Sequence, residues 1–246
     1  MLAGHDHLRP RTDENLSGPQ VPPLRRTSPA AMSNRLRSRA ALRVTYSTLA
    51  PLYDWVVPWI SSAARALGRT WLDVNNGQHL LDVGTGTGLA LRPLADANPH
   101  GWSEGIDASP AMLTRARHRM RGCAHRRYGL RQAPATDLPY DDDTFDRLFS
   151  SYLLDLLPRS DRHSTLLEMR RVLRPQGRLV LVYLVPPQHP QERVWTHLAR
   201  LFPPLLGGSR PIPLRSSLEA AGLCELRHAT RVQSGLRSGI LVAVPR

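Results

Sequence analysis

Asp82 closes an apolar run, Leu80-Leu81-Asp82-Val83, and three glycines follow it at alternate positions, Gly84, Gly86 and Gly88. A carboxylate at the end of a buried strand, then a turn that bends tightly and admits a ligand without a Cβ in the way, is chemistry for holding a nucleotide-like molecule. The turn is expected to offer free N–H groups at the start of the helix behind it. Asp82, Gly84, Thr85, Gly86, Thr87 and Gly88 are therefore the first candidate cofactor contacts. A dinucleotide fits the spacing poorly, because its fingerprint carries a further glycine where this chain has Leu89. A second carboxylate, Asp107, lies about 20 residues beyond the turn, the separation at which an acid ending the next strand accepts hydrogen bonds from both ribose hydroxyls. Ala108 follows it, then Ser109 as N-cap and Pro110 at the first position of a helix.

Holding these residues together requires a sheet. Apolar runs predict strands near Leu80, Ser103, Tyr128, Arg147, Leu179, Glu225 and Ile240, alternating with helices near Leu89, Met112, Leu166, Trp195 and Leu218. That alternation predicts an α/β, doubly wound, mostly parallel seven-stranded sheet with helices on both faces, and Gly235 allows a hairpin between the last two strands. Ligands of such sheets sit at the C-terminal ends of the strands, where Asp82, Asp107, Ala135 and Ser151 all fall. A helix is expected to stop near Pro175 and Gly177 before the fifth strand.

Read in order, several blocks resemble one family. The run from Leu80 to Leu89 is similar to the GxGxG motif of class I S-adenosylmethionine-dependent methyltransferases. Thr136-Asp137-Leu138-Pro139-Tyr140 with Phe145-Asp146 resembles the family's "DAxxLPFxxxxFD" block, and Arg171-Val172-Leu173-Arg174-Pro175-Gln176-Gly177 its "RVLxPGG" segment. Tyr46 to Asp54 is similar to the "YDxxAxxYD" opening of the ubiquinone and menaquinone biosynthesis C-methyltransferases. The resemblance spans roughly Arg43 to Val185, with a weaker echo from Arg210 to Leu223. It implies a Rossmann-like methyltransferase fold and S-adenosylmethionine as cofactor. Relatives usually carry an adenine-reading acid or amide where this chain has Pro134, which leaves the task to the backbone of Ala135 or to Asp137, unless Asp137 is a solvated loop residue.

The acceptor is less legible. Tyr46, Tyr53, Asp54, Tyr152 and Asp155 lie in segments expected to approach the methyl group, and Tyr46, Tyr53 and Asp155 are carried forward as candidate catalytic residues. Asp155 competes with a structural reading as a helix-start carboxylate. It also stands near the position where the quinone C-methyltransferases tend to have an arginine, so an amine or hydroxyl acceptor stays open beside a quinol-like ring carbon. His163, His189 and His197 read as solvated. The expected substrate is a small or lipid-like apolar acceptor, with a phospholipid or secondary-metabolite N- or O-methyltransferase as the alternative.

All 33 basic residues are arginine, and the formal charge is +13. The absence of lysine looks like coding bias, so a nucleic-acid partner is not expected, although a non-catalytic fold binding nucleic acid or an acidic partner is the rival of another class. The charge leaves peripheral membrane contact open. In the densest basic run Met112, Ala116 and Met120 recur at helical spacing, and Arg115, Arg117, Arg119 and Arg121 read as the solvated face. Cys123 and Cys224 are too few for a disulfide framework and lack metal-ligand spacing, so no metal is expected. Residues 1–40, rich in Pro, Arg, Ser and Gly, read as a disordered extension, and 41–246 as one domain with a helical cap (41–75) and an acceptor-side insert (186–214). A soluble, cytoplasmic protein is the expectation.

Overall fold

The computed structural model describes residues 21–25, 62–189 and 214–246 of the 246-residue chain. Seven strands form one sheet in the order β3-β2-β1-β4-β5-β7-β6. They are β1 (His79–Val83), β2 (Trp102–Asp107), β3 (Tyr128–Gln132), β4 (Phe145–Ser151), β5 (Leu173–Leu184), β6 (Leu223–Gln233) and β7 (Leu236–Pro245). Strands β1 to β5 are mutually parallel, and β7 runs antiparallel to both β5 and β6. This is the doubly wound, Rossmann-like arrangement the alternation predicts, with every predicted strand present.

The helices are α1 (residues 62–72), α2 (Leu91–Asp96), α3 (Pro110–Met120), α4 (Arg159–Val172) and α5 (Arg215–Ala220). Central strands such as β1 are buried on both faces, which is why they read as unbroken apolar runs. One face packs Leu81, Leu148 and Leu179 against Leu166, Met169 and Leu218 of α4 and α5. The other packs Leu80, Phe149 and Val180 against Ala64 and Leu72 of α1, Leu91 and Leu94 of α2 and Met120 of α3. Gly68 lets α1 lie close, since a Cβ there would sit 2.9 Å from Val182 Cγ2 and 3.1 Å from Phe149 Cε2. The last hairpin turns through Ser234 and Gly235, both at positive φ (50° and 76°), as a two-residue turn requires. Ser109 caps α3 by accepting from the Met112 N–H at 3.4 Å, with Pro110 at the helix start.

Two details depart from the sequence reading. Helix α4 stops at Val172, short of Pro175 and Gly177, because Leu173 already turns extended (φ −85°, ψ 126°) to pair with Phe145. Pro175 bars its predecessor from helix. The basic face of α3 is not uniformly solvated either, as Arg119 reaches the glycine turn described below. Of the expected cap, residues 62–72 form α1, and 41–61 lie outside the described residues, as does most of the insert, 190–213. Within 1–40, Leu24 makes an antiparallel bridge to Tyr140, and the Arg25 N–H donates to Pro139 O at 3.3 Å.

Candidate active site

The strand order reverses between β1 and β4, and the crevice at their C-terminal ends is where an open α/β sheet takes its ligand. Asp82, Asp107 and Ser151 reach that edge on β1, β2 and β4, and Ala135 reaches it in the loop after β3.

The glycine turn is held from within. Gly84, Gly86 and Gly88 all have positive φ (74°, 55° and 78°), open only to glycine at low cost. Gly84 and Thr85 donate their N–H groups to Ile106 O at 2.9 and 2.8 Å, Gly86 donates to Asp107 Oδ2 at 2.9 Å and Gly88 to Thr85 O at 2.9 Å. The N–H groups of Gly84, Thr85, Gly86 and Gly88 are thus engaged within the fold, because the turn folds back on β2 and on itself, and the helix behind it, whose start is expected to offer free N–H groups, begins at Leu91. What the turn offers is space. A Cβ built on Gly86 meets nothing within 4 Å among the described residues, whereas one on Gly84 would strike Leu153 Cδ1 at 2.9 Å, and one on Gly88 would touch Ala116 at 3.4 Å. Gly84 and Gly88 thus serve packing, and Gly86 faces the opening.

Asp82 is 1% exposed. Its Oδ2 accepts from the Thr85 hydroxyl at 2.7 Å, while Oδ1 is buried without a hydrogen-bond partner among the described residues. Burial pushes its carboxyl up to about 7, against the Thr85 hydroxyl, the pull of Arg65 and a weak contribution from the Leu91 N–H. Asp107, half-buried, accepts from Gly86 and, through Oδ1, from the Ser109 N–H at 2.8 Å. Burial raises its pKa, and these backbone donors oppose the rise. An orphaned carboxylate oxygen beside an open glycine and a second carboxylate at the rim fits a ligand carrying both an ammonium and vicinal hydroxyls.

Beyond β4, Tyr152 stands at φ 56°, rare for a residue with a side chain. Its N–H donates to Val182 O at 2.7 Å, and its hydroxyl shares a 2.9 Å hydrogen bond with Ser238 Oγ. Asp155 lies in a 3-10 turn (Leu154–Leu156), 1% exposed, with both oxygens receiving the Leu184 N–H at 3.1 and 3.0 Å. Burial pushes its carboxyl up to about 8. Tyr46, Tyr53 and Asp54 lie outside the described residues. Asp137 is half-buried in a turn closed by its own N–H to Pro134 O at 3.1 Å, and Ala108 is exposed beside Asp107. His163 and His189 are exposed. Among the described residues no group of His, Cys, Asp and Glu could hold a metal, and both cysteines are unbridged.

Which proteins share this arrangement follows from comparison. Residues 80–177 match the model of a methyltransferase domain family. The ubiquinone/menaquinone biosynthesis C-methyltransferase UbiE of Citrifermentans bemidjiense is 30% identical over 178 residues, covering 68% of this chain and 74% of that one. The chain belongs to the UbiE-like family of S-adenosylmethionine-dependent methyltransferases. A phosphatidylethanolamine N-methyltransferase of Cereibacter sphaeroides is 36% identical over 133 residues, 53% of this chain and 62% of that one. A SAM-dependent methyltransferase from Aquifex aeolicus shares the fold with a TM-score of 0.60 at 18% identity, over 80% of this chain and 97% of that one.

Two arginines hold the loops of this methyltransferase's candidate site together, Arg119, which the sequence placed on a solvated face, and Arg171, which carried no role in the sequence beyond its motif. Arg119 donates to the carbonyl and hydroxyl of Thr87 at 2.5 and 2.7 Å, clamping α3 to the glycine turn. It lies three residues past the buried Ala116, at the border of the packed face, which was the available signal. Arg171 donates to Leu138 O (3.0 Å), Tyr140 O (2.7 Å), Asp142 (2.8 Å) and Glu168 (2.8 Å), and Glu168 in turn accepts from the Leu138 N–H at 2.7 Å. The arginine of the "RVL" block is thus the pin of the Leu138 to Asp142 loop. Replacing Arg171 by methionine strands a half-buried Glu168 and two carbonyls. The enzyme is expected to lose about 3 kcal/mol of stability, read as a lower midpoint in urea.

Proposed function

We propose that the enzyme methylates a small or lipid-like apolar acceptor at a quinol-like ring carbon, a hydroxyl or an amine. The observation that carries the reading is the crevice at the switch point, where the open face of Gly86 and the carboxyls of Asp82 and Asp107 converge. Bound there, S-adenosylmethionine supplies a methyl group already activated on a sulfonium. The protein's task is then positioning, since in-line displacement gains most from holding the partners aligned. Asp107 receives the ribose hydroxyls and the orphan oxygen of Asp82 the methionine ammonium. Gly84, Thr85, Gly86, Thr87 and Gly88 shape the floor. Ala108, Ala135, Asp137 and Ser151 line the adenine and methyl ends.

The named activities of relatives support a lipid-like acceptor, one a quinone biosynthesis enzyme and one a phospholipid N-methyltransferase. Asp155, with both oxygens committed to Leu184, serves better as a buried brace than as a base, so Tyr46 and Tyr53 remain the candidates for proton removal. Incubation with methyl-labelled cofactor and separate pools of quinols, lipid amines and phenols tests the reading. Label in any of these pools supports it, and label in none of them, while the cofactor is consumed on protein or nucleic acid, sinks it.

A further inference from the structure

Strand β3 stands at the edge of the sheet, and the chain must pass β2 and β1 to enter β4. A parallel crossover of this kind is ordinarily a helix, which satisfies its own backbone. Here residues 133–144 cross as turns and extended chain, so their backbone groups need partners from elsewhere. Most of those partners come from within the domain. The Ala133 N–H donates to Asp107 O at 3.2 Å and the Asp137 N–H to Pro134 O at 3.1 Å, while Glu168 and Arg171 hold Leu138 and Tyr140 from α4. Leu138 and Tyr140 are buried, the tyrosine ring edge-on to Phe145 at 4.9 Å.

A further partner comes from far away in the chain. Val21-Pro22-Pro23-Leu24-Arg25 meets this loop, with Leu24 bridging Tyr140, the Arg25 N–H donating to Pro139 O at 3.3 Å, and Pro22 buried. Its sequence suits an attached edge. Pro22 and Pro23 preset an extended backbone, so less chain entropy is lost on docking, and without N–H groups they recruit no further strand. Val21 and Leu24 stay 57% and 47% exposed, so little apolar area fastens the segment. An element attached by one backbone bridge and one buried proline sits at the low-stability end of a fold, where a ligand can shift its population.

We infer that residues 21–25 are a strap that positions the loop after β3 at the adenine end of the crevice, so that docking of the strap and binding of the cofactor strengthen each other. With Pro134 in the loop, reading the adenine edge falls to the backbone of Ala135, and backbone groups bind well only when the chain around them is already held in place. This rests on S-adenosylmethionine occupying the switch-point crevice. The strap acts through the loop and takes no part in the transfer itself.

Calorimetric titration with S-adenosylhomocysteine and S-inosylhomocysteine, which differ at the adenine amino group, tests it. In the wild type the former is expected to bind more tightly. Arg25→Pro deletes the N–H that Pro139 O accepts while leaving Leu24 extended. It is expected to weaken S-adenosylhomocysteine about 5- to 20-fold and to narrow the preference over the inosine analogue. Arg25→Ala keeps the N–H and is expected to stay within about twofold of the wild type. Equal affinity for the two ligands in the wild type, or equal weakening of both or of neither in Arg25→Pro, overturns the assignment. In the unmutated chain, hydrogen exchange at Leu24 and Arg25 is expected to slow when S-adenosylhomocysteine is added. Unchanged exchange there overturns the coupling, and this measurement decides if Arg25→Pro does not fold. A wild type that binds neither ligand defeats the crevice reading itself, whereas failure confined to the strap measurements leaves that reading standing.

Discussion

Replacing Asp107 with alanine is expected to weaken S-adenosylhomocysteine binding by about 10²–10³-fold. Two hydroxyl-to-carboxylate hydrogen bonds in a half-buried crevice are worth about 1.5–3 kcal/mol each, and each 1.4 kcal/mol is tenfold. The same carboxylate also receives Gly86 and Ser109, so the alanine variant gives up part of the turn's support as well. Asp107→Asn separates the two effects. It keeps an acceptor for the backbone, and its melting temperature is expected to fall less, while its single carbonyl oxygen and lost charge still cost binding at least tenfold. Titration calorimetry beside a thermal melt reads both quantities. Tight binding by Asp107→Ala would remove the ribose assignment.

The protein without ligand is expected to lose stability as pH rises from about 4 to about 8, opposite to the behaviour of ion-paired carboxylates. Asp82 and Asp155 are held at about 7 and about 8 in the fold, both by burial, against an ordinary 3.8 in the unfolded chain. Between those values the folded state keeps protons that the unfolded state has released, so raising pH favours unfolding until the folded carboxyls ionise too. The direction is fixed by geometry, since Asp82 Oδ1 is buried without a hydrogen-bond partner among the described residues and both oxygens of Asp155 share one N–H. A loss of several kcal/mol across the window corresponds to roughly 10 °C in a chain of this size. Asp155→Asn keeps an acceptor for Leu184 and cannot ionise. It is expected to melt near the wild type at pH 5 and several degrees above it at pH 9. A wild-type melting temperature that climbs from pH 5 to 9 would show these carboxyls to be ionised throughout.

Asp82 connects this pH dependence to function. A ligand ammonium at Oδ1 favours the ionised carboxyl, so binding is expected to release a proton near neutrality, and the observed heat should then vary with the buffer's ionisation enthalpy.

The amino-acid sequence by itself determined the seven strands and which of their ends meet at the candidate site. Seven strands, the Ser109 cap, the Ser234-Gly235 hairpin and the glycine turn are legible because periodicity and turn chemistry act within a few residues. Asp82 and Asp107 could be placed at one edge because a parallel sheet aligns the C-terminal ends of its strands. Only the tertiary structure decided what each side chain does there. Arg119 meets Thr87 across 32 residues of chain, Arg171 meets Leu138 across 33 and Arg178 meets Trp71 across 107. The sign and size of a charge's effect depend on such partners and on depth, neither of which spacing along the chain contains. For the same reason the N–H groups of Gly84, Thr85 and Gly86 are spent on Ile106 and Asp107, and both oxygens of Asp155 accept from Leu184. Their partners arrive from strands that the local sequence does not see.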